Sequence, residues 1–326
     1  MTYELEQESI IKTLLSSKVK NVLLQLPDGL KPYGTKIAEE LQRKARVTVI
    51  IHGDPCYGAC DVARDEAKAL GIDMIIHFGH TPMLKLKRNI IYVEARSKLN
   101  VTRLVAKALP LLKKYGSVGL AATVQHISAI NKVKLLLKAH GIKVLVGKRQ
   151  GLLKYDGQVL GCDFSTCISI ASKVSAFLLI GSFTHALGLR IVTRKPVVLI
   201  DPYQEVIEDV ELKVKKVLAK RLYIVQKCLG LSKFGIVIGL KPGQLHLELA
   251  KRLKDLLSKA GKNVFLISAR EINSQLILNF PDIDCFVISA CPFLPIYDAD
   301  LYPKPVLTPN EALAIAGVKK LEEIYG

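Results

Sequence analysis

The sequence predicts an α/β protein of three similar small domains with parallel sheets, the product of an apparent triplication. Two observations carry this. A short apolar strand, a turn, an amphipathic helix and a second strand follow one another three times along the 326 residues, and each time a further helix and a third strand come next. Strands alternating with helices of this length need crossover connections, which are right-handed and give parallel sheets with covered faces. Half of the residues are hydrophobic, and a chain this long is expected to divide into two or three domains.

The first repeat is "KNVLLQLPDGLKPYGTKIAEELQRKARVTVIIHG" (20–53), whose helix has apolar positions at helical spacing. It continues through "CDVARDEAKALGIDMIIHFGH" (60–80) to a strand ending near His80. The second repeat, "GSVGLAATVQHISAINKVKLLLKAHGIKVLVGK" (116–148), continues through "CDFSTCISIASKVSAFLLIGSFTH" (162–185) to His185. The third, "SKFGIVIGLKPGQLHLELAKRLKDLLSKAGKNVFLIS" (232–268), continues through "REINSQLILNFPDIDCFVISACP" (270–292). Gly141 and Gly261 close the first helix of the second and third repeats, as a left-handed cap requires. In "LTPNEALAIAG" (307–317), Thr308 as N-cap, Pro309 at the first helical position and Glu311 three residues after the cap predict a last helix. The predicted domains are residues 1–114, 115–229 and 230–326, packed closely because no low-complexity linker separates them.

Composition narrows the function. No apolar stretch approaches the roughly 18 residues of a membrane helix, and the first residues lack the basic start and apolar centre of a signal peptide. A cytoplasmic protein is expected. Its seven cysteines are then thiols or metal ligands rather than a disulfide framework. The formal charge of +18 is large enough to draw an acidic partner. A solvated helix face explains runs such as "DVELKVKKVLAKR" (209–221) better than an acidic protein partner does, and nucleic acid ranks last because aromatics are few and Trp is absent.

Ligands in open α/β sheets collect beyond the carboxyl ends of the strands, and Cys60, Cys162 and Cys291 fall at such places, one per predicted domain. Asp61 and Asp163 follow the first two, so each thiol is expected at the entrance of a helix capped by that Asp, where the helix dipole favours thiolate. The register is imperfect. Cys60 and Cys162 precede the second helix of their repeats, whereas Cys291 follows the third strand, at the level of His80 and His185. Cys167, Cys228 and Cys285 read as small buried hydrophobes. Cys56 and Cys60 form a C-x₃-C pair open to three readings: a zinc or redox pair, half of a disulfide, or part of a larger cluster. The common radical S-adenosylmethionine motif C-x₃-C-x₂-C begins here, but Ala63 stands at its third position.

The stretch "GDPCYGACDVARDEAKALGIDMIIHFGH", with "GQVLGCD" (157–163), "LKPGQLHL" (240–247) and "ISACP" (288–292), resembles the archaeal enzymes of the first step of diphthamide synthesis, over nearly the whole chain and in motif order. The resemblance implies three α/β domains around a central four-iron four-sulfur cluster held by Cys60, Cys162 and Cys291, in a homodimer supplied by an electron donor. It implies a transferase, a 2-(3-amino-3-carboxypropyl)histidine synthase of noncanonical radical S-adenosylmethionine type. The open iron would receive the methionine part of S-adenosylmethionine, and a 3-amino-3-carboxypropyl radical would add to C2 of a histidine in translation elongation factor 2. Loops at "KPGQL", "PDG", "VQH" and "FGH" follow strands and could line the pocket, with Gln244, His126 and His80 as candidate contacts to S-adenosylmethionine. Two rival readings remain at this point: a quinolinate-synthase-like iron–sulfur enzyme, and a noncatalytic zinc-carrying module that binds RNA.

Overall fold

The structure is a computed structural model that describes residues 2–84 and 89–325. Its described strands form three larger sheets, parallel among the first three strands of each repeat, and a small antiparallel pair, Tyr3–Glu4 with Arg96–Ser97. The first sheet contains β1 (Asn21–Gln25), β2 (Thr48–Ile51), β3 (Met74–Phe78) and β4 (Ile90–Val93) in the order β2-β1-β3-β4. The second is built on β5 (Ser117–Ala122), β6 (Lys143–Leu145) and β7 (Ala176–Ile180) in the order β6-β5-β7, with β8 (Val197–Asp201) and β9 (Val206–Asp209) continuing beyond β7. The third contains β10 (Lys233–Gly239), β11 (Asn263–Ala269), β12 (Cys285–Ile288) and β13 (Val306–Leu307) in the order β11-β10-β12-β13.

Each sheet places the first strand of its repeat between the second and the third. That shared order is the structural counterpart of the sequence repeat. It also creates a switch point between first and third strand, where crossovers leave for opposite sides and a crevice opens at the carboxyl edge. The loops on these crevices are those after β1 and β3, after β5 and β7, and after β10 and β12.

The crossover helices α1 (Gly34–Ala45), α2 (Ile130–Ala139) and α3 (Leu247–Lys259) bury one stripe each: Ile37 and Leu41, Val133 and Leu137, Leu253 and Leu257. Gly141 and Gly261 follow α2 and α3 at φ 79° and 77°, and in the first repeat Arg46 takes the same left-handed position at φ 55°. β1 reads as continuously apolar because both of its faces are covered. Val22 and Leu24 pack with Ile37 and Leu41 on one side, while Leu23 meets Val62, Ala63 and Ala67 on the other. Each such large aliphatic side chain contributes roughly 1.5–3 kcal/mol by leaving water.

The chain divides into two compact units, Met1–Gly181 with Ile200–Ile207, and Ser182–Leu199 with Glu208–Gly326. In the second, the helix Glu211–Leu229 keeps Lys213, Lys215, Lys216 and Lys220 in solvent. Arg221 departs from the expectation of a solvated basic face: it is 1% exposed and ion-paired to Glu311, itself fully buried. The last helix, Pro309–Ile315, begins with the predicted capping box between Thr308 and Glu311. Among the described residues, no helix is long and apolar enough to cross a membrane.

Candidate functional site

Cys60 sits on a tight turn closed by the Asp61 amide donating to the Gly58 carbonyl at 3.0 Å. A side chain at Gly58 would place its Cβ 3.3 Å from the Cys60 sulfur, so glycine leaves that sulfur room. Asp61 does not cap a helix. Val62 and Ala63 must first enter the core beneath β1, and the helix begins only at Arg64 after an N-cap, Ala63, whose side chain makes no capping bond. The segment is held instead by Gln25, a buried amide at the end of β1. Its Nε2 donates to the Asp61 carbonyl at 2.6 Å, and its Oε1 accepts from the Ala63 amide at 3.1 Å and from His77 Nδ1 at 2.8 Å. The one polar residue in "VLLQL" was the available signal for this.

Cys162 is exposed on a turn that the "GQVLGC" stretch builds. Val159 and Gly157 flank Gln158 and exchange backbone hydrogen bonds with Ala122 at the end of β5, at 3.0 and 2.9 Å. The Leu160 amide then donates to the Asp163 carbonyl, also at 3.0 Å, closing the turn around Gly161 and Cys162. Gln158 is fully buried; its Oε1 accepts from the Lys154 and Tyr155 amides and its Nε2 donates to Thr81 Oγ1 at 3.0 Å. Asp163, expected as an N-cap, accepts from the Leu152 and Ser165 amides and so pins one strand of the loop to the other. The helix that follows, Ser165–Ile168, is a single turn after an N-cap, Phe164, with no side-chain capping bond. Neither thiol therefore gains the helix terminus that the sequence suggested.

The loop tolerates little extra volume. A Cβ on Gly147 would lie 1.8 Å from the Thr166 carbonyl oxygen, and Thr166 Oγ1 donates to the Gln158 carbonyl at 2.7 Å. Gly147→Ala is expected to displace Thr166 and Gln158 together and to cost about 1–3 kcal/mol as overpacking, read as a lowered melting temperature. An unchanged melting temperature would show that the approach is not tight.

Cys291 lies after β12, at the crevice of the third sheet, half-buried and just before the short helix Phe293–Tyr297. The loop after β10 lies against the residue before it. A Cβ at Gly239 would stand 2.6 Å from the Ala290 Cβ and 3.4 Å from the Gln244 Cβ, so this glycine brings Gln244 beside the residue preceding Cys291. Gln244 is buried, its amide donating to the Lys241 carbonyl at 2.9 Å, and buried Lys241 pairs with Glu271 at 3.0 Å.

Of the two other candidates, His80 follows β3 at the first crevice and His126 follows β5 at the second. The two loops are joined. Gln125 Nε2 donates to the Gly79 carbonyl at 2.7 Å, and Gln158 reaches the neighbouring Thr81. His126 is buried against the Tyr203 ring, centroids 5.2 Å apart, and its Nε2 has no hydrogen-bond partner among the described residues. Cys60, Cys162, His80 and His126 belong to the first compact unit, Cys291 and Gln244 to the second.

Burial holds the histidines neutral. His80, His126 and His185 are each lowered from 6.5 to about 4, His126 despite the opposing charge of Asp201, and burial also takes His77 well below 6.5. As pH falls below about 6.5 the unfolded chain takes up these protons before the folded one does, so their contribution is complete above 6.5 and is lost toward 4. The melting temperature should be lower at pH 5 than at pH 7. A value equal or higher at pH 5 would contradict the neutral assignment.

All seven cysteines are thiols, and only Cys60, Cys162 and Cys291 reach solvent; Cys56, Cys167, Cys228 and Cys285 are buried. Burial, with Asp61 adding to it at Cys56, pushes Cys56 and Cys167 up to about 12. Three loop thiols are therefore accessible to a metal, two in the first compact unit and one in the second.

Comparison with known proteins agrees with this chemistry. The family described as "Putative diphthamide synthesis protein" matches residues 26–325. The 2-(3-amino-3-carboxypropyl)histidine synthase of Pyrococcus horikoshii is 34% identical over 332 residues, covering 100% of this chain and 95% of the relative. Subunit 1 of the Schizosaccharomyces pombe synthase is 28% identical over 334 residues, covering 99% of this chain and 76% of the relative. The crystal structure of Dph2 from Pyrococcus horikoshii with a 4Fe-4S cluster superposes with a TM-score of 0.90 at 34% identity, covering 98% of this chain and 93% of that one.

Proposed function

The chain belongs to the diphthamide synthesis family, and on that premise we propose that Cys60, Cys162 and Cys291 together hold its four-iron four-sulfur cluster. It is a transferase of diphthamide biosynthesis that forms 2-(3-amino-3-carboxypropyl)histidine, with a 4Fe-4S cluster as cofactor, as in the Dph2 relative, and S-adenosylmethionine as co-substrate. The quinolinate-synthase-like and RNA-module readings fall with family membership. The observation that carries the ligand assignment is selective exposure: of seven cysteines, four lie in loops, and of those four Cys60, Cys162 and Cys291 reach solvent while Cys56 is buried. Held there, the cluster would supply the one electron needed to cleave the sulfonium of S-adenosylmethionine, and three cysteine ligands would leave one iron without a protein ligand.

This chain's residues then bind and orient. The packing of Gln244 beside Ala290, the residue before Cys291, supports a contact of Gln244 to the methionine carboxylate or amine. His126 carries a buried imidazole nitrogen that lacks a partner among the described residues, which supports a contact to the co-substrate. His80 shares its Nδ1 with His77, which favours a role with that neighbour over one with the co-substrate. The acceptor is a histidine C2 of elongation factor 2, in a reaction run by a cytoplasmic homodimer supplied by an electron donor. The division at 1–114, 115–229 and 230–326 is supported by three sheets of the same strand order.

The test is transfer itself. Reduced, cluster-loaded protein given carboxypropyl-labelled S-adenosylmethionine and elongation factor 2 should label one histidine of that protein. Label found only in a small-molecule product would overturn the acceptor assignment.

A further inference from the structure

Cys56, His77 and His80 offer one sulfur and two ring nitrogens that all lie within 4.8 Å of one another. We propose that these three residues bind one divalent d-block cation of the zinc class, at a site separate from the cluster cysteines.

The geometry rests on backbone that leaves few alternatives. β3 ends at Phe78, and Gly79 turns the chain at φ 86°, where a Cβ would also strike the Pro27 Cγ at 2.8 Å. The turn brings the His80 ring back over His77, with centroids 5.1 Å apart and His77 Nε2 3.0 Å from His80 Nδ1. The tautomer of His77 follows from its neighbours. The Gln25 amide is fixed by backbone on both sides, Nε2 toward the Asp61 carbonyl and Oε1 toward the Ala63 N–H, so the atom facing His77 Nδ1 accepts only. His77 must therefore carry its proton on Nδ1 and present a bare lone pair on Nε2 toward His80. A metal-binding histidine is commonly held this way by an outer hydrogen bond that fixes tautomer and ring plane.

The donor set fits the cation class. Two imidazoles and a thiolate suit zinc, cobalt(II) or iron(II) in tetrahedral geometry, with the fourth position taken by water. Metal–nitrogen bonds of about 2.0 Å put two tetrahedral ligand nitrogens about 3.3 Å apart, a few tenths of an ångström beyond the present 3.0 Å, and the rings must also turn so that both lone pairs converge on the cation. His80 moves its proton to its other ring nitrogen and binds through Nδ1, and Cys56 releases its thiol proton to solvent as the metal–sulfur bond forms. The bound cation ties the stretch leading to the Cys60 turn to the end of β3.

Cobalt(II) titration tests this without a cluster. Full-length protein carrying Cys60→Ser, Cys162→Ser and Cys291→Ser, checked by circular dichroism, should bind one equivalent with sulfur-to-cobalt charge-transfer absorption and the visible bands of a tetrahedral site. Cys56→Ser should abolish the charge-transfer band, and Gln25→Ala should weaken binding about 10–100-fold. If the triple variant is misfolded, the same titration of iron-free wild type should lose an equivalent on Cys56→Ser alone. A folded triple variant that binds no cobalt, or a charge-transfer band that survives Cys56→Ser, would overturn the site and leave a hydrogen-bonded structural pair. Failure here leaves the three-cysteine assignment untouched, because that assignment is removed from the protein before the measurement.

Discussion

Cys60→Ala, Cys162→Ala and Cys291→Ala, made one at a time, are each expected to lose the four-iron cluster after anaerobic reconstitution and to lower transfer by at least about 100-fold, the upper range already seen when only a residue supporting a ligand is removed. Gly58 leaves the Cys60 sulfur room, the Gln158 segment fixes the Cys162 turn to β5, and Cys291 comes after β12 in the loop that begins at Ser289. None of these loops contains a second accessible thiol to substitute, since Cys56 and Cys167 are buried. Cys167→Ala is the matched control: it should cost on the order of 1 kcal/mol of stability and leave iron content unchanged. Full iron content in any one of the three alanine variants would remove that cysteine from the ligand set.

Arg221→Ala should be the most damaging change remote from the cluster loops. The guanidinium donates to both Glu311 carboxylate oxygens at 2.8 and 2.7 Å, to the Pro295 carbonyl at 2.6 Å and to the Val306 carbonyl at 2.7 Å. Glu311 also accepts from Tyr325 and from the Thr308 amide, so one ion pair joins the long helix Glu211–Leu229 to the last strand and the capping box. Removing one partner leaves a buried charge uncompensated, which costs about 3–5 kcal/mol. At about 2–4 °C per kcal/mol for a domain of 150–250 residues, melting should fall by roughly 6–20 °C. Replacing both partners by apolar residues, Arg221→Met with Glu311→Leu, should do less harm than either single change, because no lone charge remains. A fall under about 2 °C in Arg221→Ala would mean that the pair is solvated in solution.

The fold was legible where the signal was periodic or local. Alternating strands and helices gave parallel sheets, Gly141 and Gly261 occupy the predicted left-handed positions, and Thr308 with Glu311 forms the predicted capping box. The reading failed where tertiary contacts decide. Asp61 and Asp163 have the composition of N-caps, yet the residues after Asp61 are drawn into the core and Asp163 is used to close a loop. Arg221 stands in a run of solvated lysines, and nothing in its neighbours announces that a carboxylate 90 residues away will bury it. The same limit applied to the site. The cysteines proposed as cluster ligands were picked out by their motifs, whereas Gln25 and Gln158, which fix the two loops of the first compact unit, are single polar residues in apolar context. Their partners lie 36–38 and 77 residues distant.

The central claim is a three-cysteine cluster with one iron left for S-adenosylmethionine. Electron paramagnetic resonance of the dithionite-reduced, reconstituted protein, with and without S-adenosylmethionine, tests it most directly. A reduced-cluster signal that changes on addition of S-adenosylmethionine is the predicted result. A signal indifferent to S-adenosylmethionine would contradict the open iron, and a colourless protein holding zinc at Cys60, Cys162 and Cys291 would contradict the cluster.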